Sequence, residues 1–403
     1  MIRDIKIEQA WSEFTSPETL LRLALDEDHS VRYGVARNEA TPPAVLSQLA
    51  KDADWSVQLG VAENPSTPPT ILTELALSES WRVRLRVADN SYIPPNVLQI
   101  LLIDKDSNVR KAVAKNPSTP PEALAKLAND ESEYVRQEVA VNPNTLLEVL
   151  GRLAGDEDYD VRHGVADNPS TPPGILIRLA NDKDEYVRYE VARNSHTSTD
   201  TLAYLASDED VGVRRGVAAN PNASPTTLAQ LANDEDLRAR NAVARNPHTP
   251  PDVLSTLAND ESEYVRYWVA ANKSSSLKIL AELAKDEVWN VRSAVAANKC
   301  THPQILAQLA WDENENVRRG VANNSNTPPG VLASLAHDKD KDVRYLVARH
   351  PSALPDTLAA LVEDKDKYIS EAARVNLNIP IDLGQVSTIG TTELAQPSTM
   401  EIS

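Results

Sequence analysis

The chain has 403 residues, with 41 Lys and Arg against 59 Asp and Glu, one cysteine and an aromatic content of 4%. The single cysteine, Cys300, excludes a disulfide framework, an all-cysteine zinc site and a four-cysteine iron–sulfur cluster. The net charge of −18 argues against a general binder of polyanions such as nucleic acid. No apolar run approaches ~18 residues and the first residues lack a signal-peptide stretch, so we predict a cytoplasmic protein with no membrane span.

Residues 1–14 differ in pattern from the rest of the chain. They contain the large apolar side chains Ile2, Ile5, Ile7, Trp11 and Phe14. A repeating pattern starts after them, and the ends of repeat arrays must cover an apolar face that inner repeats cover with each other. We therefore predict that residues 1–14 form an N-terminal cap.

A period of 26 residues governs residues 15–378, which divide into fourteen repeats without an insertion. Asparagine marks the period, and only His350 interrupts the series. The marker positions are Asn38, Asn64, Asn90, Asn116, Asn142, Asn168, Asn194, Asn220, Asn246, Asn272, Asn298, Asn324 and Asn376. The length therefore indicates one repeat array rather than two or three globular domains.

The first half of each repeat reads as a short helix, as repeat five illustrates. Thr119 is a typical N-cap residue, and Pro120 and Pro121 fit the first turn, where a missing N–H costs nothing. Leu124 and Leu127 are three residues apart and so lie on one apolar face. Leucine occupies both positions in all fourteen repeats.

The second half reads as another short helix. Asp130 opens an acidic turn that we predict to cap this helix, Val135 and Val139 form its apolar face, and Asn142 ends it. A residue before proline avoids the helical region, and asparagine tolerates the left-handed one. Helices of two or three turns are unstable alone, so they must stack on neighbouring repeats. The predicted fold is an all-α solenoid of fourteen two-helix repeats.

The last repeat departs from the pattern, and the chain changes character after it. Ile369-Ser370 replaces the usual Val-Arg pair, and Ala373-Arg374 replaces Val-Ala. We predict that this repeat is a C-terminal cap. Residues 379–403 contain few bulky side chains among Ser, Thr, Gly and Pro, and we predict a disordered tail.

The pattern T-P-P-x-x-L-x-x-L-A-x-D-x-D-x-x-V-R-x-x-V-A-x-N-P resembles the leucine-rich-repeat variant (LRV) family, and its D-x-x-x-x-V-R half is similar to HEAT-type repeats. The resemblance implies a right-handed superhelix with two helices per repeat, one of which is α or 3₁₀. Some relatives carry a cysteine-ligated iron–sulfur segment before the repeats. No cysteine precedes the repeats here, so no such cluster is expected.

The most regular polar residues are predicted to be structural. Aspartate occupies the Asp130 position in thirteen of fourteen repeats, and arginine occupies the Arg136 position in twelve. We expect the acid to cap the second helix and the arginine to bind acids of its own and the adjoining repeat. The asparagine series is expected to bond backbone groups at helix ends.

Aromatic residues are concentrated on the second helix, where thirteen of the 17 Trp and Tyr residues occupy four repeat positions. Most of these positions point away from the buried valines at 100° per residue. Two interpretations stay open, a recognition surface and packing between repeats. The candidates for a binding face, with two interspersed arginines, are Tyr33, Trp55, Trp81, Arg86, Tyr134, Tyr159, Tyr186, Tyr189, Arg215, Tyr264, Tyr267, Trp268, Trp289 and Tyr345.

The sequence favours a non-catalytic scaffold that binds a protein or an extended peptide through this face. No catalytic, cofactor-binding or metal-binding motif is found, and no off-pattern acid/base pair suggests catalysis. The alternative is a HEAT-like lyase, chaperone or nucleic-acid-acting factor that holds a ligand in a concave groove. A third possibility is a structural spacer with no partner.

Overall fold

The computed structural model describes residues 2–378, with side chains from Arg3 onward, and α-helices are the only regular elements in that range. The tail predicted at 379–403 lies outside the described residues. Contacts divide the chain into two compact units, the first ending at Ala242 and the second beginning at Val243. Within the described range, no helix is long and apolar enough to cross a membrane.

Helix α1 (Ile2–Trp11) precedes fourteen pairs of helices. The first helix of each pair has seven residues, except for the last, which has eight. The first helices are α2 (Pro17–Leu23), α4 (Pro43–Leu49), α6 (Pro69–Leu75), α8 (Pro95–Leu101), α10 (Pro121–Leu127), α12 (Leu147–Leu153), α14 (Pro173–Leu179), α16 (Thr199–Leu205), α18 (Pro225–Leu231), α20 (Pro251–Leu257), α22 (Leu277–Leu283), α24 (Pro303–Leu309), α26 (Pro329–Leu335) and α28 (Pro355–Val362).

The second helix of each pair has nine residues, or ten in the last repeat. The second helices are α3 (His29–Arg37), α5 (Trp55–Glu63), α7 (Trp81–Asp89), α9 (Ser107–Lys115), α11 (Glu133–Val141), α13 (Tyr159–Asp167), α15 (Glu185–Arg193), α17 (Val211–Ala219), α19 (Leu237–Arg245), α21 (Glu263–Ala271), α23 (Trp289–Ala297), α25 (Glu315–Asn323), α27 (Lys341–Arg349) and α29 (Lys367–Asn376).

Both helices of each repeat are α-helical, so the 3₁₀ alternative is not found in residues 2–378. In each unit the second helices of successive repeats pack directly on each other, and each first helix packs on second helices beside it. Leu124 and Leu127 of α10 and Val135 and Val139 of α11 are buried, as the pattern predicts. The predicted α-solenoid of fourteen two-helix repeats is confirmed.

Threonine at the start of the repeat does not cap the first helix, so that prediction is wrong. The Thr119 hydroxyl donates to the carbonyl oxygen of Val113 at the end of α9, at 2.5 Å. The N-cap of α10 is Pro120, which makes no side-chain cap bond. The last carbonyls of a helix lack helical partners, and a buried threonine is placed to satisfy one of them. Where serine stands at the second position, as in Ser198, it does cap the helix.

The asparagine series ties each repeat to the one before it. The Asn142 amide donates to the carbonyl oxygens of Ala114 (2.7 Å) and Asn116 (3.2 Å), one repeat earlier. Its side-chain oxygen accepts the N–H of Asn144. The backbone of Asn142 is extended (φ −69, ψ 126) rather than left-handed, as a residue before proline requires.

Helix α1 is the second helix of an incomplete repeat. Lys6 lies 26 residues before Arg32, and its ammonium group binds Asp26 at 2.6 Å. Asn38 donates to Ala10 and Ser12 as later asparagines donate to the preceding repeat. Helix α1 thereby covers one face of α3. That residues 1–14 and the last repeat act as stabilising caps stays a prediction.

Candidate functional site: the outer face of the second helices

In each unit, buried arginine and aspartate side chains near the turns between the two helices of a repeat form a series of ion pairs, which we call the ladder. Each pair joins the second helix of one repeat to the turn of the next. Arg136 Nε and Nη2 donate to both carboxylate oxygens of Asp156, at 2.8 and 2.9 Å. Its Nη1 donates to the backbone carbonyl of Asp130, in its own repeat. The acid partner is therefore in the next repeat only, and the expectation of a second acid partner in the same repeat is wrong.

The ladder aspartate is not the helix cap either. The Asp130 carboxylate accepts the N–H of Ser132, and Ser132 is the N-cap of α11. Where aspartate stands at the Ser132 position, as Asp158 does before α13 and Asp184 before α15, its side chain caps the helix. The two acids of the turn thus have separate roles, because one fixes the arginine and the other the helix end.

Several ladder carboxylates, among them Asp130 and Asp182, have pKa values below that of free aspartate. Burial alone raises the pKa of Asp130, but hydrogen bonds from Arg110 and from the Ser132 N–H outweigh burial and hold its pKa below the usual 3.8. The same balance lowers the pKa of Asp182 through Arg162 and the N–H of Asp184. Stability from these groups is present above pH ~4 and is lost at lower pH.

One pair of the ladder, which we call a rung, is uncharged. Gln58 replaces arginine and Ser78 replaces the aspartate of the next repeat, and the Ser78 hydroxyl donates to Gln58 Oε1 at 2.8 Å. Gln58 Nε2 keeps the bond to the Asp52 carbonyl. The two departures are 20 residues apart, as are Arg136 and Asp156. This spacing was visible in the sequence and identifies the partners.

The aromatic residues on the second helices fall into two classes. The first-turn rings, at the start of the helix, expose 39–72% of their surface except for Trp81, which is half-buried. They are Trp55, Trp81, Tyr134, Tyr159 and Tyr186 in the first unit and Tyr264, Trp289 and Tyr368 in the second.

The second-turn rings, one turn further along the helix, are half-buried; they are Tyr33, Tyr189, Tyr267, Trp268 and Tyr345. Tyr189 lies over Gly216 of the next repeat, where an added Cβ would stand 3.3 Å from Tyr189 Cδ2 and 3.0 Å from Ala192 Cβ. Tyr33 lies in the same way over Gly60 and also contacts Trp11 of α1, with ring centroids 5.7 Å apart. In the sequence, this packing is indicated by the glycine in the following second helix, Gly60 for Tyr33 and Gly216 for Tyr189.

In the second unit the second-turn rings contact one another or an arginine. Tyr267 and Trp268 meet edge to face at 5.2 Å, and the Arg245 guanidinium lies 4.4 Å from the Trp268 ring centroid. The Arg349 guanidinium lies 5.7 Å from the Tyr345 ring centroid. Tyr33, Tyr189 and Trp268 therefore contribute to the packing between repeats, whereas the ring contacts named for Tyr267 and Tyr345 lie within α21 and α27.

Most basic residues of the face are already engaged. Arg82 lies over both Trp55 and Trp81, at 5.3 and 4.9 Å from their centroids. Arg86 forms ion pairs with Glu63 (3.0 Å) and Asp89 (3.1 Å). The exposed Arg215 differs, because it donates to the Tyr189 hydroxyl (3.3 Å) and no carboxylate of the described residues lies within 4 Å of its guanidinium.

A shallow cavity of about 270 Å³ lies in the first unit, between α15 and α17. Its polar and aromatic lining residues are Glu185, Tyr186, Tyr189, Asp210, Arg215 and Arg238. Val211 and Gly212 also line it, at positions where other repeats carry a first-turn ring. The cavity is large enough for part of one side chain of a partner rather than for an enclosed cofactor.

Every carboxylate with a shifted pKa in the described range lies either in the ladder or at a helix N-cap, as Asp156 and Asp54 do. Ion pairing and capping thus account for these shifts without a catalytic role. Within residues 3–378, no three His, Cys, Asp or Glu side chains are grouped so that they could hold a metal ion.

Stacked two-helix repeats joined by buried ladders define the class of α-solenoid repeat proteins. Family models confirm the type of repeat: leucine rich repeat variant matches residues 108–132 and 315–340, and the leucine rich repeat variant domain matches 213–273. These matches, in three segments of the chain, support a helical repeat protein of the leucine-rich repeat variant type. No curated protein matches it.

Three solved structures resemble the chain. One is a leucine-rich repeat variant with a novel repetitive structural motif (29% identity, 55% of this chain and 87% of that one, TM-score 0.43). Another is an engineered protein (18% identity, 90% of this chain and 98% of that one, TM-score 0.23). The third is a chain from a structure of Kap95p with RanGDP (12% identity, 94% of this chain and 60% of that one, TM-score 0.37). At these TM-scores the likenesses carry no conclusion about function.

Proposed function

We propose that the chain is a non-catalytic scaffold that binds another protein, or an extended peptide, along the first turns of its second helices. The observation that carries this proposal is the exposure of the first-turn rings. Tyr186 is 61% exposed and Tyr134 58%, although the core of each repeat is built from aliphatic side chains. Rings in such positions contribute little to the stability of the stack.

Exposed tyrosine and tryptophan are effective anchors for a partner. Each offers a large apolar surface at a low cost in side-chain entropy, and each keeps a polar atom for a hydrogen bond. Covering several such rings supplies most of the binding free energy in many interfaces. A repeat protein presents them at regular intervals, which suits an elongated partner surface.

Arginine has a smaller role in this proposal than the sequence suggested. Arg82 stacks on Trp81, and Arg86 forms an ion pair with Glu63. Arg238 pairs with Asp236 of its own turn at 3.0 Å. Arg215 is the arginine of the face best placed to contact an acidic group of a partner. We therefore assign the main contribution to the rings.

Affinity capture from native lysate tests this function. The triple variant Trp55→Ala/Tyr159→Ala/Tyr186→Ala is expected to lose proteins that the immobilised wild-type chain retains, while its melting temperature stays the same. The matched control is Tyr204→Ala/Trp311→Ala, which removes rings of similar exposure outside this face. The proposal fails if the triple variant retains the same proteins as the wild type, or if the control loses them equally.

A further inference from the structure

The charge around the first-turn rings is unequal along the first unit. The tyrosine–carboxylate stretch consists of the N-cap residue and the next two residues of α11, α13, α15 and α17 (132–134, 158–160, 184–186 and 210–212). It contains no Lys or Arg and six acids: Glu133, Asp158, Asp160, Asp184, Glu185 and Asp210. The corresponding residues of α5, α7 and α9 contain two acids, Asp54 and Asp106, and one arginine, Arg82.

Two rings of this stretch have open faces. Tyr159 and Tyr186 are 45% and 61% exposed, and among the described residues no lysine or arginine lies over either ring. Trp55 and Trp81 differ, because Arg82 covers both. The first unit thus already contains a stacked guanidinium at one pair of rings and lacks one at the other.

The acids beside these rings form no close ion pair, although Arg215 and Arg238 line the same cavity as Glu185 and Tyr186. No Lys or Arg nitrogen in the described part of the chain lies within 4 Å of the carboxylates of Asp160, Asp184 or Glu185. The Asp160 carboxylate raises the pKa of Tyr159, with smaller contributions from burial and from Asp184 and Asp158. This direction shows that the site is electronegative, since negative charge opposes ionisation of the phenol.

We propose that the tyrosine–carboxylate stretch binds an extended basic segment of another protein, with arginine or lysine side chains held between the tyrosine rings and the neighbouring carboxylates. This inference rests on the proposed function, because it assigns a partner chemistry to part of the same face. A guanidinium stacks on a tyrosine face and pairs with a carboxylate at its edge. Both kinds of group are present here in adjacent repeats.

The geometry of the repeats also specifies the spacing of the basic residues. Packed helices are ~8–10 Å apart. A polyproline II segment rises ~3.1 Å per residue and turns once in three residues, so every third side chain points the same way at intervals of ~9 Å. Arginine at every third position of the partner would therefore meet one repeat after another.

Fluorescence polarisation with a defined peptide tests the inference. The probe is a labelled peptide of about fifteen residues with arginine at every third position and proline and alanine between. The full chain is expected to bind it, and raising NaCl from about 0.05 M to about 0.3 M is expected to weaken binding several-fold. A peptide with glutamate in place of arginine is expected not to bind.

Variants locate the binding site. Tyr159→Ala/Tyr186→Ala and Asp160→Asn/Glu185→Gln are each expected to weaken binding by roughly tenfold or more. Neither carboxylate is a helix N-cap, so the second variant leaves helix capping intact. The matched control is Tyr264→Ala/Trp289→Ala, which removes first-turn rings of the second unit and should bind as the wild type does.

Three results overturn the inference: no binding of the arginine peptide, unchanged binding in the two variants, or equal binding of a peptide with the same arginines in one block. The capture experiment separates this failure from failure of the proposed function. If Tyr159→Ala/Tyr186→Ala still loses retained proteins there while the arginine peptide does not bind, the face binds partners of another chemistry. If it loses none, the proposed function of these rings fails as well.

Discussion

At the scale of single residues, the arginine of the ladder donates from all three of its nitrogens, to a carboxylate and to backbone carbonyls at once. Arg162 donates from Nε and Nη2 to Asp182 in the next repeat and from Nη1 to two carbonyl oxygens of its own turn. Both side chains are less than a tenth exposed. Removing either partner leaves the other buried without its counter-charge, which costs more than the pair itself contributes.

Arg162→Ala is expected to lower the free energy of unfolding by ~3–5 kcal/mol, because it strands Asp182 in the interior. The double variant Arg162→Gln/Asp182→Ser is expected to recover most of this loss, because it reproduces the neutral Gln58–Ser78 rung found in the same unit. Urea denaturation followed by circular dichroism measures both. Equal losses in the single and double variants would contradict this account.

The sequence predicted which residues of the ladder are structural but not how they pair. Regularity alone cannot distinguish an arginine that binds its own acid from one that binds the next, because both spacings repeat identically in every period. Only the departures carry that information. Gln58 and Ser78 change together across a repeat boundary, and no aspartate stands 20 residues after Ser370 in the sequence.

At the scale of helices, the ring position decides whether an aromatic residue packs or is free to bind. One turn separates Tyr186 from Tyr189 on α15, yet the first is exposed and the second lies against Gly216 of α17. The angle of 100° per residue predicts both on the outer face, since this periodicity describes one helix at a time. It could not include the neighbouring second helix, which covers the later turn.

Tyr189→Ala is expected to destabilise the chain by roughly 1–3 kcal/mol, because it removes a half-buried ring from the contact between α15 and α17. Tyr159→Ala is expected to change the free energy of unfolding by less than ~0.5 kcal/mol, since its ring is exposed. Thermal and urea denaturation of the two variants provide the comparison. A larger loss for Tyr159→Ala would reverse the assignment of the two ring classes.

At the scale of the whole molecule, acid should unfold the chain over a narrow range of pH. The ladder aspartates with lowered pKa values, such as Asp104, Asp130 and Asp312, bind protons less readily in the folded state than in the unfolded state. Their stabilising effect is therefore complete above the unfolded value near 3.8 and decreases as pH falls through the lower folded values.

The free energy of unfolding is accordingly expected to be nearly constant between pH ~7 and ~5 and to fall steeply below pH ~4. Urea denaturation at a series of pH values measures the slope. Arg162→Gln/Asp182→Ser has one titrating carboxylate fewer and should show a shallower slope than the wild type. Stability that increases below pH ~4 would contradict the sign of these pKa shifts.

The repeat length, the phase of both helices and the buried leucines and valines could be predicted from the sequence, because a fourteen-fold repetition averages out local ambiguity. Besides the pairing of the ladder and the packing of the second-turn rings, two further features were not predicted. Thr119 looks like a helix cap by its type and place, but its hydroxyl bonds backwards to Val113. Helix α1 looks like a generic apolar segment, but Lys6 and Ala10 lie in the phase of the repeat.

The ladder has a direction, since each cation reaches forward to the acid of the following repeat, and Lys6 supplies the first cation. Duplicating or deleting a block of 26 residues, away from the neutral Gln58–Ser78 pair and the last repeat, would therefore add or remove one positive and one negative buried charge together. The interior would stay neutral at any number of repeats. Repeats can therefore be gained or lost in evolution without leaving an unpaired charge in the interior. The surface that carries the first-turn rings lengthens or shortens with the number of repeats.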